Sequence, residues 1–172
     1  LTRISNISIN GLTKFSESDL LGIMELKATN LLSWWEKDDR YSKSSLSADL
    51  EKIKSFYLDR GYLNFKIVST DVSITPNKKR LAITIDVDEG DKYSFGDISI
   101  SGSINEFSEA DLKSNITIKK DKVFSSKEVN NSSNNISNYL GNFGYAFANV
   151  NPISKIDEEN KQVSYDFFVD TG

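Results

Sequence analysis

Phe15-Ser16-Glu17-Ser18-Asp19-Leu20 returns 92 residues later as Phe107-Ser108-Glu109-Ala110-Asp111-Leu112, and Gly61-Tyr62 returns 83 residues later as Gly144-Tyr145. A chain that repeats at a fixed spacing must fold as a row of like units, because each copy carries the same pattern of buried and exposed positions. Glu89-Gly90 and Thr171-Gly172 close the two copies, 82 residues apart. The unit is therefore about 80 to 90 residues, the size of a small domain. A boundary near Glu89 to Tyr93 gives domains 1–91 and 92–172. The first copy holds 92 − 83 = 9 more residues between the motifs, around Trp34-Trp35.

Each copy opens with a short alternating run that stops at glycine, Ile7-Ser8-Ile9-Asn10-Gly11 and Ile98-Ser99-Ile100-Ser101-Gly102. Period two predicts a half-buried strand ending in a turn. Ser16 with Asp19, and Ser108 with Asp111, have the spacing of a helix N-cap and its third helical residue. A second helix follows in each copy. Its apolar stripe in the first, Leu46, Leu50, Ile53 and Tyr57, maps at an offset of 83 onto Val129, Ser133, Ile136 and Leu140. This spacing keeps the four positions on one face. Gly61 and Gly144 sit where a left-handed residue ends a helix. Around Ser133 the second helix runs through Asn130, Asn131, Asn134 and Asn135, weak helix formers, which predicts a softer second domain.

Two strands close each unit, near Leu63 to Thr75 and Leu81 to Asp88, then near Ala146 to Ile156 and Val163 to Asp170. The last strands alternate cleanly, as Leu81, Ile83, Ile85, Val87 and as Val163, Tyr165, Phe167, Val169. In the first copy the preceding strand changes phase, from Leu63, Phe65, Ile67 to Val68, Thr70, Val72, Ile74, as an inserted bulge residue produces. The unit is β-α-α-β-β, an α+β fold: a mixed three-stranded sheet packed by two antiparallel helices. The first and last strands run parallel and the last two form a hairpin. Two sheet orders satisfy these constraints; with the last strand central, the second is an open edge able to accept a strand from another chain.

Composition removes several classes of function. Cysteine is absent, so no disulfide or thiolate chemistry is available. Histidine is absent too, which removes the usual general base near neutral pH and the commonest transition-metal ligand. A net charge of −4 argues against a nucleic-acid binder, whose affinity comes from clustered Lys and Arg. No stretch approaches the ~20 apolar residues of a membrane helix. With Leu1 first and no charged or apolar leader behind it, the chain reads as an internal segment. No cofactor, metal or catalytic residue is called for.

The β-α-α-β-β repeat closing on Glu-Gly or Thr-Gly resembles the POTRA domain of the Omp85 family of outer-membrane β-barrel assembly proteins. Trp34-Trp35, Tyr41-x-Lys43-x-x-Leu46-x-x-Asp49-Leu50-Glu51, Tyr57-Leu58-Asp59-Arg60-Gly61-Tyr62 and Ser69-Thr70-x-Val72-Ser73-x-Thr75-Pro76 resemble the third periplasmic copy of that family's assembly factor. Asn142-Phe143-Gly144-Tyr145-Ala146 resembles the fourth. The Asn/Ser-rich helix from Asn130 to Asn138 departs from the family, which fills it with charged residues.

The resemblance implies strand order one, three, two, with the second strand at the edge. It also implies a non-catalytic periplasmic scaffold in a Gram-negative outer-membrane protein, one that binds unfolded barrel precursors and accessory lipoproteins by backbone augmentation and surface contacts. Membrane attachment would come only through a C-terminal barrel. In the family, the second strand of the third domain contacts a propeller lipoprotein, BamB-like. Carried over by the Ser-Thr-x-Val-Ser-x-Thr-Pro match, the contacts are Val72 and Ile74, with Val68, Thr70 and Ser73 beside them. Alternatives within the fold are a POTRA pair of a secretion transporter or a divisome protein.

Other motifs have plainer readings. Trp34-Trp35 invites partner contact, but large aromatics are mostly buried. Lys78-Lys79-Arg80 is a basic turn. Asp86-Val87-Asp88-Glu89-Gly90-Asp91 has its Gly fifth rather than sixth for a calcium loop and Asp97 in place of the closing Glu, so these carboxylates mark the domain boundary and hinge. Glu36 with Asp38 and Asp39 could serve as the acid pair of a periplasmic hydrolase, though no spacing supports it.

Overall fold

A computed structural model describes residues 4–28, 39–77 and 80–172. Trp34-Trp35, the Glu36 and Asp38 pair, and Lys78-Lys79 lie outside the described residues. In the first copy the elements are β1 (Ile4–Asn10), α1 (Glu17–Ile23), α2 (Asp39–Leu58), β2 (Lys66–Ile74) and β3 (Arg80–Asp88). In the second they are β4 (Ser94–Gly102), α3 (Glu109–Ser114), α4 (Ser126–Gly141), β5 (Asn149–Asp157) and β6 (Gln162–Asp170). Each copy is β-α-α-β-β, with one three-stranded sheet, ordered β1-β3-β2 and β4-β6-β5. The outer pairs β1–β3 and β4–β6 are parallel; the hairpins β2–β3 and β5–β6 are antiparallel. The last strand is central in both sheets, which settles the order that the residue pattern leaves open. Compact clustering of the chain gives one unit of residues 1–57 and 64–90, and a second of 58–63 and 91–172.

The local signals act as their chemistry requires. Ser16 Oγ accepts from Asp19 N at 3.1 Å and caps α1, and Ser108 Oγ accepts from Asp111 N at 3.4 Å and caps α3. Gly11 and Gly102 end β1 and β4 at φ of +97° and +96°. A Cβ on either would collide with a carbonyl oxygen of the central strand, that of Val87 or Val169, so neither position admits a side chain. Leu63 and its neighbours do not extend β2 as the sequence pattern suggests. Leu63 N donates to Gly61 O at 3.0 Å and Ala148 N to Tyr145 O at 3.2 Å, so both copies make a turn before the strand begins at Lys66 or Asn149.

One side of each sheet carries the core. Leu46, Ile53 and Tyr57 of α2 are buried over Leu81, Ile83 and Ile85 of β3, while Leu50 is half-buried. In the second unit Val129, Ile136 and Leu140 of α4 join Val163, Phe167 and Val169 of β6. Ser133, the residue opposite Leu50 in the repeat, is 8% exposed and its hydroxyl has no hydrogen-bond partner. A buried hydroxyl left unpaired costs stability. Ser133→Leu is expected to raise the second unit's stability by about 1 kcal/mol, and Ser133→Ala isolates the hydroxyl's share. Urea unfolding measures both, and hydrogen exchange should show residues 125–143 opening before 45–60.

Two buried acids hold the first unit together. Asp49 of α2, fully buried, accepts from Glu25 N at 2.8 Å and Leu26 N at 2.9 Å. In the second unit Ser132 takes the same place and accepts from Thr117 N at 2.9 Å. Glu89 is 5% exposed and accepts from Tyr57 Oη at 2.7 Å, from Thr13 N at 2.7 Å and Oγ1 at 2.8 Å, and from Lys14 N at 3.1 Å. It is an internal staple between the chain after β1 and α2, one residue before the first unit ends at Gly90.

Burial pushes the Glu89 carboxyl up, but hydrogen bonds from Tyr57, Thr13 and Lys14 outweigh it and leave the pKa below the ordinary 4.5. With a depressed folded value, the stabilisation is present above the unfolded pKa and is lost as pH falls through the folded one. Wild type should therefore weaken in acid faster than Glu89→Gln, in urea unfolding followed from neutral pH down through the carboxylate range. Parallel acid limbs would contradict this.

Candidate functional site

Among the described residues β2 is an outer strand of the first sheet, and the phase change in its sequence is a real irregularity. Lys66 and Ile67 pair with Asp88 and Val87, then the register shifts and Ser69 pairs with Asp86. Val68 is the extra residue, 62% exposed. Beyond it the ladder runs regularly through Thr70↔Ile85, Val72↔Ile83 and Ile74↔Leu81.

Thr75 N donates to Arg80 O at 3.0 Å, so Thr75 faces β3. Antiparallel pairs alternate in direction, so Ser73, Asp71 and Ser69 also turn their backbone toward β3. Thr70, Val72 and Ile74 therefore point their N–H and C=O groups away from the sheet, as a row that pairs with no strand among the described residues. Their side chains share the face of the buried Ile85, Ile83 and Leu81, yet Val72 is 39% and Ile74 43% exposed. Ser73, exposed, lies on the opposite face.

The apolar side of this edge opens into a cleft. Ser47, Leu50, Glu51 and Lys54 of α2 form one wall, and Phe65, Lys66 and Ile67 form the other, around about 370 Å³. Phe65 in that second wall stacks on Tyr57 with ring centroids 4.0 Å apart. On the far face of the sheet Asp86 accepts from Ser69 Oγ at 2.8 Å and from Asn10 Nδ2 at 3.0 Å, which ties all three strands together just past the bulge. Those two hydrogen bonds, Ser69 first, hold the Asp86 carboxyl below the usual range.

The structure thus brings Thr70, Val72 and Ile74 together on one edge and one face, sets Val68 on the bulge beside them, and turns Ser73 the other way. The cleft residues Leu50, Phe65 and Ile67 are absent from the sequence-based set. Their signal was readable, because residues before a phase break share the face they alternate on, and Leu50 lies on the α2 stripe.

A second cleft, about 480 Å³, lies on the outer face of the second sheet between Asp97, Lys120, Lys155 and Asp157. It is shallow and its charges answer one another; Lys120 Nζ meets Asp97 Oδ1 at 2.9 Å. Among the described residues no group of His, Cys, Asp and Glu has the geometry to hold a metal ion, and no helix is long and apolar enough to cross a membrane.

Two β-α-α-β-β units in tandem, each with its second strand at the edge of the sheet, define a repeat scaffold of small α+β modules. The chain belongs to the POTRA family, described as surface antigen variable number repeat, which matches residues 2–90 and again 93–172. It is similar to the outer membrane protein assembly factor BamA of Neisseria meningitidis, 27% identical over 170 residues, covering 99% of this chain and 21% of that protein. The BamA of Buchnera aphidicola is 29% identical and is covered over 27% of its length. The chain therefore spans about a quarter of these relatives. Among solved structures, that of Haemophilus influenzae BamA POTRA3-5 superposes with a TM-score of 0.80 at 26% identity, covering 99% of this chain and 66% of that one.

Proposed function

We propose that this chain is a non-catalytic periplasmic scaffold of an outer-membrane protein assembly machinery, whose two copies, 1–91 and 92–172, act as separate binding modules. The first unit's edge strand binds accessory lipoproteins and unfolded barrel precursors, by adding a partner strand along Thr70, Val72 and Ile74 and seating apolar side chains in the cleft of Leu50, Phe65 and Ile67. The observation that carries this reading is the unpaired backbone row beside exposed Val72 and Ile74. Unpaired N–H and C=O groups supply affinity by main-chain hydrogen bonding, and alternate side-chain pockets supply selectivity. Similarity to BamA proteins supports the cellular setting.

The test is a pull-down from envelope extracts with the immobilised chain. A lipoprotein and barrel precursors should be retained, and both should be lost from a Val72→Pro column. Retention of neither, or equal retention on both columns, would count against the reading.

A further inference from the structure

The two edges are not equivalent, and the difference lies in one residue. In β6 the core residues Phe167, Tyr165 and Val163 occupy the places of Ile85, Ile83 and Leu81 in β3, 82 residues earlier. Their edge partners are Pro152, Ser154 and Ile156, where the first unit has Thr70, Val72 and Ile74. Pro152 thus holds the place of Thr70, whose N–H faces outward. The β5–β6 register runs without a break from Asn149 to Asp157, straight through the proline. A residue with no N–H sits inside an intact ladder only when its nitrogen points away from the neighbouring strand. The pyrrolidine ring of Pro152 therefore projects at the free edge.

We propose that strand addition is confined to β2 of the first unit, and that Pro152 closes the matching edge of the second. The inference rests on the edge-strand reading above and adds its selectivity. An incoming strand on β5 would lose a donor midway between Val150 and Ser154 and would meet the ring where its own carbonyl must approach. Ser154 replaces Val72, which removes part of the apolar contact as well. Proline and exposed lysine are devices by which edge strands avoid pairing, and Lys155 stands exposed three residues on. The edge is otherwise sticky, since Ile153 is 48% and Ile156 47% exposed. Without the proline it would compete for the same partners.

The first edge also selects its partner. One face of the added strand meets Thr70, Val72 and Ile74; the other meets Ser69, Asp71 and Ser73. The chemistry that fits is an extended segment alternating apolar and polar residues, the pattern of a barrel strand.

The experiment uses the whole 172-residue chain with a probe peptide of about ten residues alternating Val and Lys, and reads backbone amide exchange by NMR. In wild type, exchange at Thr70, Val72 and Ile74 should slow by about tenfold on peptide addition, while Ser154 and Ile156 stay unchanged. Pro152→Thr should extend protection to Ser154 and Ile156. Thr70→Pro should abolish it at Val72 and Ile74, its ladder to β3 intact. Protection of Ser154 and Ile156 in wild type, or no gain there in folded Pro152→Thr, overturns the proposal. Absence of protection at Val72 and Ile74 in wild type refutes the first-unit reading itself, whereas a gain in Pro152→Thr would still establish the closed edge.

Discussion

Asp49→Ala should destabilise the first unit by about 3 kcal/mol, as much as truncating a buried core side chain. The carboxylate is fully buried and receives two backbone amides, Glu25 N and Leu26 N, at 2.8 and 2.9 Å. Hydrogen bonds to a charged acceptor contribute about 1.5–3 kcal/mol each, and removal leaves the buried Leu26 N–H without its acceptor. Lys52 Nζ lies 3.8 Å from Oδ1 but is half exposed, so its share is small. Asp49→Asn keeps an acceptor without the charge and should fall between. In the second unit Ser132→Ala removes a neutral bond to Thr117 N at 2.9 Å and should cost only about 1 kcal/mol. Urea unfolding of the four proteins tests the ranking. An Asp49→Ala chain as stable as wild type would show that the segment after α1 does not depend on this carboxylate.

Val72→Pro should weaken lipoprotein and client binding by about tenfold or more, an amount equal to about 1.4 kcal/mol, while leaving the fold intact. The asymmetry follows from the direction of the Val72 N–H, which points at the free edge and takes no part in the ladder to β3. Proline there deletes a donor that only a partner can use, and its ring obstructs the approach of one. Ile74→Asp acts by a different route, placing a charge in an apolar contact at a residue 43% exposed, where the unbound chain tolerates it. Truncating side chains to alanine should do less, because an added strand is held chiefly by backbone bonds.

Much of this architecture is legible in the amino-acid sequence. The recurrence of Phe15 to Leu20 set the unit, Ser16 and Ser108 marked helix starts, and the shift from Ile67 to Val68 announced the bulge. Each of these is a local signal with a local cause. The start of β2 was not legible, because Leu63, Phe65 and Ile67 alternate like a strand while the Leu63 N to Gly61 O bond folds the chain there into a turn. The structural role of Glu89 was not legible for a related reason: only the arrival of Tyr57 and Thr13 from distant segments makes one member of that acidic run a buried acceptor. The direction of each edge N–H is likewise a matter of pairing, so the meaning of Pro152 appears only once Phe167 stands opposite it.

The most direct test of the edge-strand account is titration calorimetry of the 172-residue chain with a purified BamB-like propeller lipoprotein, comparing wild type, Val72→Pro and Ile74→Asp. The account predicts that both variants keep the wild-type circular dichroism spectrum and lose binding. Folded variants that bind with wild-type affinity would contradict it, and would move the contact to the segment around Trp34-Trp35.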